Sequence, residues 1–150
     1  MRGFNCGNTE WQVALNIWIT TNEVWDNIRD RGTSVWIYRR GNDLVGYGSV
    51  GTTARRYPPP KGNRLDLAII PMLALQLPYQ GEPQWAAKDD RYSGQIMNDL
   101  IFKARSYGLP HLVLYVHPNN EPAKGLYRKF GFQSFGLVNN GNEMMGLPLA

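Results

Sequence analysis

The residues with the clearest chemical potential stand at the start of a predicted helix that ends before Gly108. The helix is indicated by an apolar face that includes Leu100 and Ala104. Unpaired amides and the positive end of the dipole at a helix start attract a phosphate, and Gly94 permits close approach of the backbone. The residues at this helix start are Arg91, Tyr92, Ser93, Gly94, Gln95 and Ile96, and by themselves they are weak evidence for a phosphate site.

A predicted strand and helix follow at residues 112–132. Residues 112–116 are apolar and rich in β-branched and aromatic types, which is typical of a buried strand. Asn120 and Pro122 are the cap and first-turn residues of a helix start, and Gly131 stands where a helix ends. Residues at helical spacing indicate an inward face: Ala123, Leu126, Tyr127 and Phe130.

The sequence lacks the patterns typical of a metal site or of a serine nucleophile. His111 and His117 have no cysteine partners at metal-ligand spacing, and no serine stands in a nucleophile elbow. No metal site is expected.

The strand and helix closely resemble a motif of the GNAT superfamily, the acyl-CoA-dependent N-acetyltransferases. The resemblance covers fixed offsets after a buried strand: Asn120, Ala123, Leu126, Tyr127, Lys129, Gly131 and Phe132. It implies an α/β (α+β) fold with a mixed, mostly antiparallel central sheet flanked by helices. Two strands of that sheet splay apart, and acetyl-CoA lies between them.

The resemblance also implies which residues bind acetyl-CoA. Residues 91–96 hold the pyrophosphate, and Asn120, Ala123 and Tyr127 lie along the cofactor. The later half of a central strand, predicted at residues 65–77, pairs its backbone with the pantetheine arm at Leu75, Gln76 and Leu77.

The implied reaction is direct attack of a neutral amine on the thioester. Tyr127 is the candidate general acid for the departing thiolate, against the alternative of a packing tyrosine. Glu82 and His117 are candidate general bases, although a lone histidine is more often structural.

The sequence departs from the family pattern in three places. Residues 78–90 are inserted before the phosphate loop, Ile96 replaces a small residue, and the chain begins too late for a first strand. The insertion is a surface loop or a wall of the acceptor site. Residues 44–48 resemble a GNAT strand, and residues 4–7 are similar to an entry segment of a GNAT subgroup that includes the tRNA-acetylating toxins.

Length and composition indicate one domain with its own core. The 150 residues are 43% hydrophobic and 19% charged, and no apolar run reaches a membrane span. The single cysteine, Cys6, is expected to fill space. Because one cysteine cannot form an internal disulfide, a cytoplasmic protein is favoured. The net charge of +4 fits a solvated surface or a phosphate-bearing partner, and it does not distinguish CoA from a nucleic acid.

The remaining elements follow from local patterns. Residues 3–31 are expected to be helical, with a first helix capped by Asn8 or Thr9 and a second over 22–31. Strands are predicted at 34–39 and 44–51, followed by a loop over 52–63. Asn140 and Gly141 predict a hairpin between strands 133–138 and 143–149.

Three functions are compatible with these patterns. The leading one is acetylation of a small-molecule or protein amine by acetyl-CoA. The second is toxin-like acetylation of aminoacyl-tRNA, and the third is a GNAT scaffold that binds CoA without catalysis. The exposed edge of a sheet lacking its first strand favours a homodimer.

Overall fold

The computed structural model describes residues 4–20, 28–29, 33–76, 92–138 and 140–149. Its helices are α1 (Glu10–Thr20), α2 (Tyr92–Ser106) and α3 (Glu121–Lys129). Its strands are β1 (Ser34–Arg40), β2 (Asp43–Tyr57), β3 (Asn63–Ile70), β4 (Leu73–Leu75), β5 (His111–Val116), β6 (Gln133–Leu137) and β7 (Glu143–Pro148). None of these helices is long and apolar enough to cross a membrane.

The seven strands pair in the order β1-β2-β3-β5-β7-β6, and β4 pairs with β2. Every pair is antiparallel except β3 with β5. The predicted fold class, a mixed and mostly antiparallel sheet flanked by helices, is confirmed.

Two compact units share the strand β2. The first comprises Met1–Val50 and Met72–Leu100, and the second comprises Gly51–Pro71 and Ile101–Ala150. The first half of β2 pairs with β1 and β4, whereas its second half pairs with β3.

Tyr47 of β2 is the centre of one core cluster in the first unit. Its fully buried ring stacks on Trp18 at 5.3 Å and meets Phe4 edge-on at 5.4 Å. Its hydroxyl donates to the Leu15 carbonyl at 2.8 Å, so the buried polar atom is satisfied. Burial raises the pKa of Tyr47 above its ordinary value. This packing fixes α1 on the first half of β2.

Thr9 begins α1. Its backbone amide and hydroxyl both donate to Gln12 Oε1, at 3.1 and 2.7 Å. Residues 4–9 are not helical, which corrects the predicted helical span from residue 3. Phe4 and Cys6 instead turn into the core, where Asn16 Oδ1 accepts from the Cys6 amide at 2.8 Å. The predicted second helix lies largely outside the described residues.

Cys6 is 2% exposed, and burial raises the pKa of its thiol to about 11. Because the thiolate is the reactive form, this thiol is chemically inert at neutral pH. The prediction that Cys6 fills space fits this environment.

The second half of β2 was predicted as a loop and is a strand. Residues 51–57 pair with residues 63–69 of β3, so the connecting loop covers only residues 58–62. This pairing provides hydrogen-bond partners for backbone amides and carbonyls of residues 51–57, which the local sequence pattern does not reveal.

The predicted long strand over 65–77 is divided into β3 and β4. The break falls at Pro71 and Met72, where proline supplies no amide to a ladder. Beyond the break, the Met72 carbonyl accepts from the Ser49 amide at 2.9 Å, and β4 continues along β2.

The core of the second unit includes the centre of its sheet. Leu112, Val113 and Leu114 of β5 are buried between β3 on one edge and β7 on the other. The predicted hairpin of β6 and β7 is confirmed, with Gly141 at φ +80° in its turn.

Candidate active site

The predicted phosphate loop opens α2 in the first unit. Tyr92 is the first helical residue, so Ser93 and Gly94 lie in the first turn, where amides have no partner within the helix. Gly94 is buried, and Gln95 is exposed. This helix start has the local geometry that binds an anion.

Ile96 has a packing role that explains its departure from the family pattern. Its side chain is fully buried, and a Cβ on Gly48 would stand 2.9 Å from both Ile96 Cγ2 and Leu100 Cδ1. Gly48 of β2 therefore leaves room for both side chains. The isoleucine side chain points into the core of the first unit, and only its backbone remains at the helix start.

Replacing Ile96 by alanine is expected to destabilise the protein by about 2–5 kcal/mol, because it removes a fully buried side chain. Urea titration measures this loss. Phe102→Ala on the same helix is the matched control, since Phe102 is 79% exposed and should change stability little. Equal stability of both variants with the parent would contradict a core role for Ile96.

Successive backbone amides and carbonyls along β4 point to opposite edges of the strand. The Gln76 amide donates to the Val45 carbonyl at 2.7 Å, so it is paired within the sheet rather than facing a cofactor. Because alternate residues direct their amides to the same edge, the backbone groups of Leu73 and Leu75 point away from β2. Leu75 therefore has the direction that the predicted pantetheine contact requires.

Asn120 begins α3 in the second unit. Its Oδ1 accepts from the Ala123 amide at 3.3 Å, and its own amide donates to the His117 carbonyl at 2.9 Å. Pro122 occupies the first turn, and Gly131, at φ +97°, follows the helix. The predicted strand, cap, helix and stop are all confirmed.

Tyr127 is buried on the inner face of α3, with its ring centroid 5.9 Å from that of Phe132. Burial raises the pKa of Tyr127 to about 12. Its hydroxyl has no hydrogen-bond partner in the part of the chain that the structure describes. The phenol therefore carries its proton at neutral pH and shares it with no described residue, so the proton is available to a bound group.

The raised pKa of Tyr127 predicts a dependence of stability on alkaline pH. The native state holds the phenol proton up to about pH 12, whereas an unfolded tyrosine releases it near pH ~10. The contribution of the neutral phenol is therefore complete below pH ~10 and is lost as the pH rises toward 12.

Urea titrations between pH 9 and 11.5 should show wild-type stability falling more steeply than that of Tyr127→Phe. By pH 11.5 the difference should reach about 2 kcal/mol, because each pH unit above ~10 changes the difference by about 1.4 kcal/mol. Other buried tyrosines contribute equally to both proteins, so the difference isolates Tyr127. Parallel curves would show that Tyr127 ionises normally in the folded protein.

His117 follows β5 in the turn before α3. Its Nδ1 accepts from the Asn119 amide at 3.1 Å, so in the neutral ring the proton is assigned to Nε2. Neither nitrogen then offers an unused lone pair to an amine. This arrangement opposes the predicted base role of His117.

Lys124 is a residue of the site that the sequence prediction omitted. It is 6% exposed, and its Nζ donates to the Pro118 carbonyl at 2.7 Å. The Nζ also lies 2.8 Å from Glu121 Oε1 and 3.5 Å from Glu143 Oε1. Glu121 raises the pKa of Lys124, chiefly through their hydrogen bond. Lys124 thus ties the turn before α3 to β7.

The spacing of Lys124 from Tyr127 could have revealed this role. A residue three positions before a buried helical residue shares its face. The expected inward face contained only uncharged residues, but the structure buries Lys124 and Tyr127 while Ala123, Leu126 and Phe130 are half-buried. Three predicted site residues, Leu77, Glu82 and Arg91, lie outside the described residues.

This chain shares its fold with acetyltransferases of known structure and contains a segment that matches the GNAT family. Residues 91–132 match the model of the acetyltransferase (GNAT) family. The match begins at the predicted phosphate loop and ends at Phe132. It confirms the resemblance that the motif after β5 predicted. No curated protein sequence matches this chain.

Solved structures share the fold over almost all of this chain. AtaT complexed with acetyl-methionyl-tRNAfMet has a TM-score of 0.66 and 22% identity, over 97% of this chain and 85% of that chain. A mutant of the toxin AtaT, bound to the C-terminus of the antitoxin AtaR and acetyl-CoA, has a TM-score of 0.65 and 20% identity, over 97% and 83%. The PaiA N-acetyltransferase from Thermoplasma acidophilum, in complex with coenzyme A, has a TM-score of 0.57 and 16% identity, over 85% and 67%.

Proposed function

We propose that this protein is an acetyl-CoA-dependent N-acetyltransferase that acts on a primary amine. The observation that carries the proposal is the unit of β5 and α3. There Asn120 caps the helix, and Tyr127 presents a protonated phenol that bonds to no described residue. This unit lies within the segment that matches the GNAT family.

In this proposal the start of α2 binds the pyrophosphate of acetyl-CoA. The amides of Ser93 and Gly94 donate to phosphate oxygens, and the helix dipole adds to the attraction. Arg91 is the predicted cation of the loop. Solved proteins of the same fold bind acetyl-CoA or coenzyme A, which supports a donor of this kind.

The pantetheine arm is proposed to run along β4. The backbone of Leu75 points away from β2. An amide on this edge can also stabilise the oxyanion of the tetrahedral intermediate, which is usually a large contribution to catalysis.

The proposed chemistry is a direct transfer. The nitrogen lone pair of the amine attacks the thioester carbonyl, and a new C–N bond forms in the tetrahedral intermediate. The intermediate collapses, the C–S bond breaks, and Tyr127 transfers its proton to the leaving sulfur. A base takes the proton that the amine nitrogen loses, and solvent returns the phenol to its protonated form.

Burial of the leaving thiolate would narrow the pKa difference between it and Tyr127. A phenol with a pKa of about 12 is a weak acid toward an ordinary thiolate, whose pKa is about 8.5. Desolvation raises thiol pKa values too, because burial disfavours the charged thiolate. A thiolate that forms in a buried site is therefore a better proton acceptor for Tyr127.

Of the two candidate general bases, Glu82 and His117, the proposal retains Glu82. The hydrogen bond from Asn119 to His117 Nδ1 disfavours the histidine in that role. Glu82 belongs to the inserted segment, which was expected to form a loop or a wall of the acceptor site.

Aminoacyl-tRNA is a second candidate acceptor. Its support is the fold shared with AtaT, whose complex contains acetyl-methionyl-tRNAfMet, over 97% of this chain. The α-amino group of an aminoacyl-tRNA is a primary amine, so the same chemistry applies.

Calorimetric titration of the purified protein with acetyl-CoA tests the donor half of the proposal. Micromolar binding is expected, and release of free CoA should then be followed with amines of each class, including aminoacyl-tRNA. Binding without turnover on any amine would favour a scaffold that binds CoA without catalysis. Absence of binding would overturn the enzyme proposal.

A further inference from the structure

The hairpin of β2 and β3 carries a concentrated positive charge. No acidic residue stands between Asp43 and Asp66, whereas this stretch contains four cations. All four are exposed, and we call them the basic hairpin: Arg55, Arg56, Lys61 and Arg64.

The pairing register places two of these cations directly opposite each other. Arg56 pairs with Arg64 across the antiparallel strands, which brings their Cβ atoms to about 5 Å. Like charges in directly opposite positions destabilise a sheet. The hairpin of β1 and β2 has the contrasting arrangement, because Arg40 there stands opposite Asp43.

No carboxylate of the described residues forms an ion pair with the basic hairpin. Arg55 bonds to Thr53 Oγ1 and to the Ala54 carbonyl, at 2.7 and 2.8 Å. Arg56 makes one bond of 3.4 Å to the Gly62 carbonyl, so most of its five donors remain for another molecule. These cations are therefore available to bind an anion.

The connection between the strands is short and rich in proline. Residues 58–60 are three consecutive prolines, and the Gly62 amide donates to the Pro58 carbonyl at 2.8 Å. Proline restricts the backbone, so presenting the cations to a ligand costs less conformational entropy.

We propose that the basic hairpin is a binding surface for the phosphate backbone of RNA. Three of its four cations are arginines, whose planar fork binds phosphate oxygens in pairs. Several cations along one hairpin fit a repeating polyanion better than a single phosphate group. Such a surface would bring an RNA-linked amine to the enzyme. Only this delivery of an amine rests on the proposed function, whereas RNA binding itself does not.

The test is fluorescence anisotropy of labelled, unfractionated tRNA with the full chain, at several salt concentrations and without acetyl-CoA. The variant removes both opposed arginines, as Arg56→Gln with Arg64→Gln. Loss of two phosphate contacts should weaken binding at least about tenfold at low salt. The slope of log Kd against log salt should also fall by about 1.5–2.

The matched control removes the same charge from the other hairpin, as Arg39→Gln with Arg40→Gln. It should retain most of the affinity and of the salt slope. Equal losses in the two double variants would overturn the proposal, because they would show an effect of net charge alone.

Two further measurements complete the test. Poly-glutamate that competes with tRNA as well as unlabelled tRNA does would assign the surface to an acidic protein and overturn the RNA proposal, as would tighter binding of duplex DNA. The melting temperature of Arg56→Gln with Arg64→Gln should not fall, because the change removes a like-charge pair. Since acetyl-CoA is absent, failure of this proposal and failure of the donor site are separate results.

Discussion

Replacing Tyr127 by phenylalanine is expected to lower kcat by about 10²-fold or more, with little change in the KM for acetyl-CoA. The substitution removes only the hydroxyl, whose proton the mechanism delivers to the leaving thiolate. Because this hydroxyl bonds to no other described residue, the fold should tolerate its loss. Steady-state release of CoA, measured with the first amine that supports turnover, gives both constants.

The pH dependence of the Tyr127→Phe variant separates the acid from the base. The pKa of Tyr127 is raised to about 12, so its ionisation does not contribute to the rate profile near neutral pH. The rise of the rate with pH, which reports deprotonation of the amine or of its base, should therefore remain in the variant. Tyr107→Phe, at the other end of α2 from Gly94, is the control and should keep full activity. An unchanged kcat in Tyr127→Phe would remove this residue from the chemistry.

Replacing Gly94 by leucine is expected to weaken acetyl-CoA binding by about 10²-fold or more. A side chain at this position of the first turn would keep phosphate oxygens from the amides of residues 93 and 94. Each hydrogen bond to a charged group contributes about 1.5–3 kcal/mol, and every 1.4 kcal/mol is tenfold in affinity. Calorimetric titration measures the change.

Two variants control for structural damage at Gly94, which is buried. Gly125→Leu places the same side chain on α3, where a Cβ would meet nothing within 4 Å, and it should bind acetyl-CoA normally. Gly94→Ala should show a smaller loss of affinity with a cooperative melting transition. Normal binding by a folded Gly94→Leu protein would place the pyrophosphate elsewhere.

The motif between β5 and α3 was predictable because its signals are local. The cap at Asn120, the proline at position 122 and the stop at Gly131 each act on neighbouring backbone groups, and the structure follows all three. The same holds for the hairpin turn at Gly141. Such features require no knowledge of distant parts of the chain.

The errors fell where distant residues decide the structure. Residues 52–57 became a strand because β3 returns to pair with them, and a turn-rich neighbourhood of prolines conceals that pairing. Pro71 divides the long predicted strand, although its effect depends on β4 finding a new register on β2.

The site prediction had the same limit. Ile96 looked unsuited to a phosphate loop, but Gly48, nearly fifty residues earlier, provides the space that its side chain occupies. The spacing of Lys124 places it on the inner face of α3, but its partners, the Pro118 carbonyl and Glu143, are brought to it only by the folded chain.

The dependence of Lys124 on Glu143 also sets an order of events during synthesis. The motif residues of α3 leave the ribosome before β7, yet β7 pairs along the whole of β5 and supplies Glu143. A nascent chain that stops short of residue 143 leaves one edge of β5 without this partner and Lys124 without this carboxylate. Because synthesis proceeds from the N-terminus, α3 reaches its finished surroundings only after the last strand of this sequence has emerged.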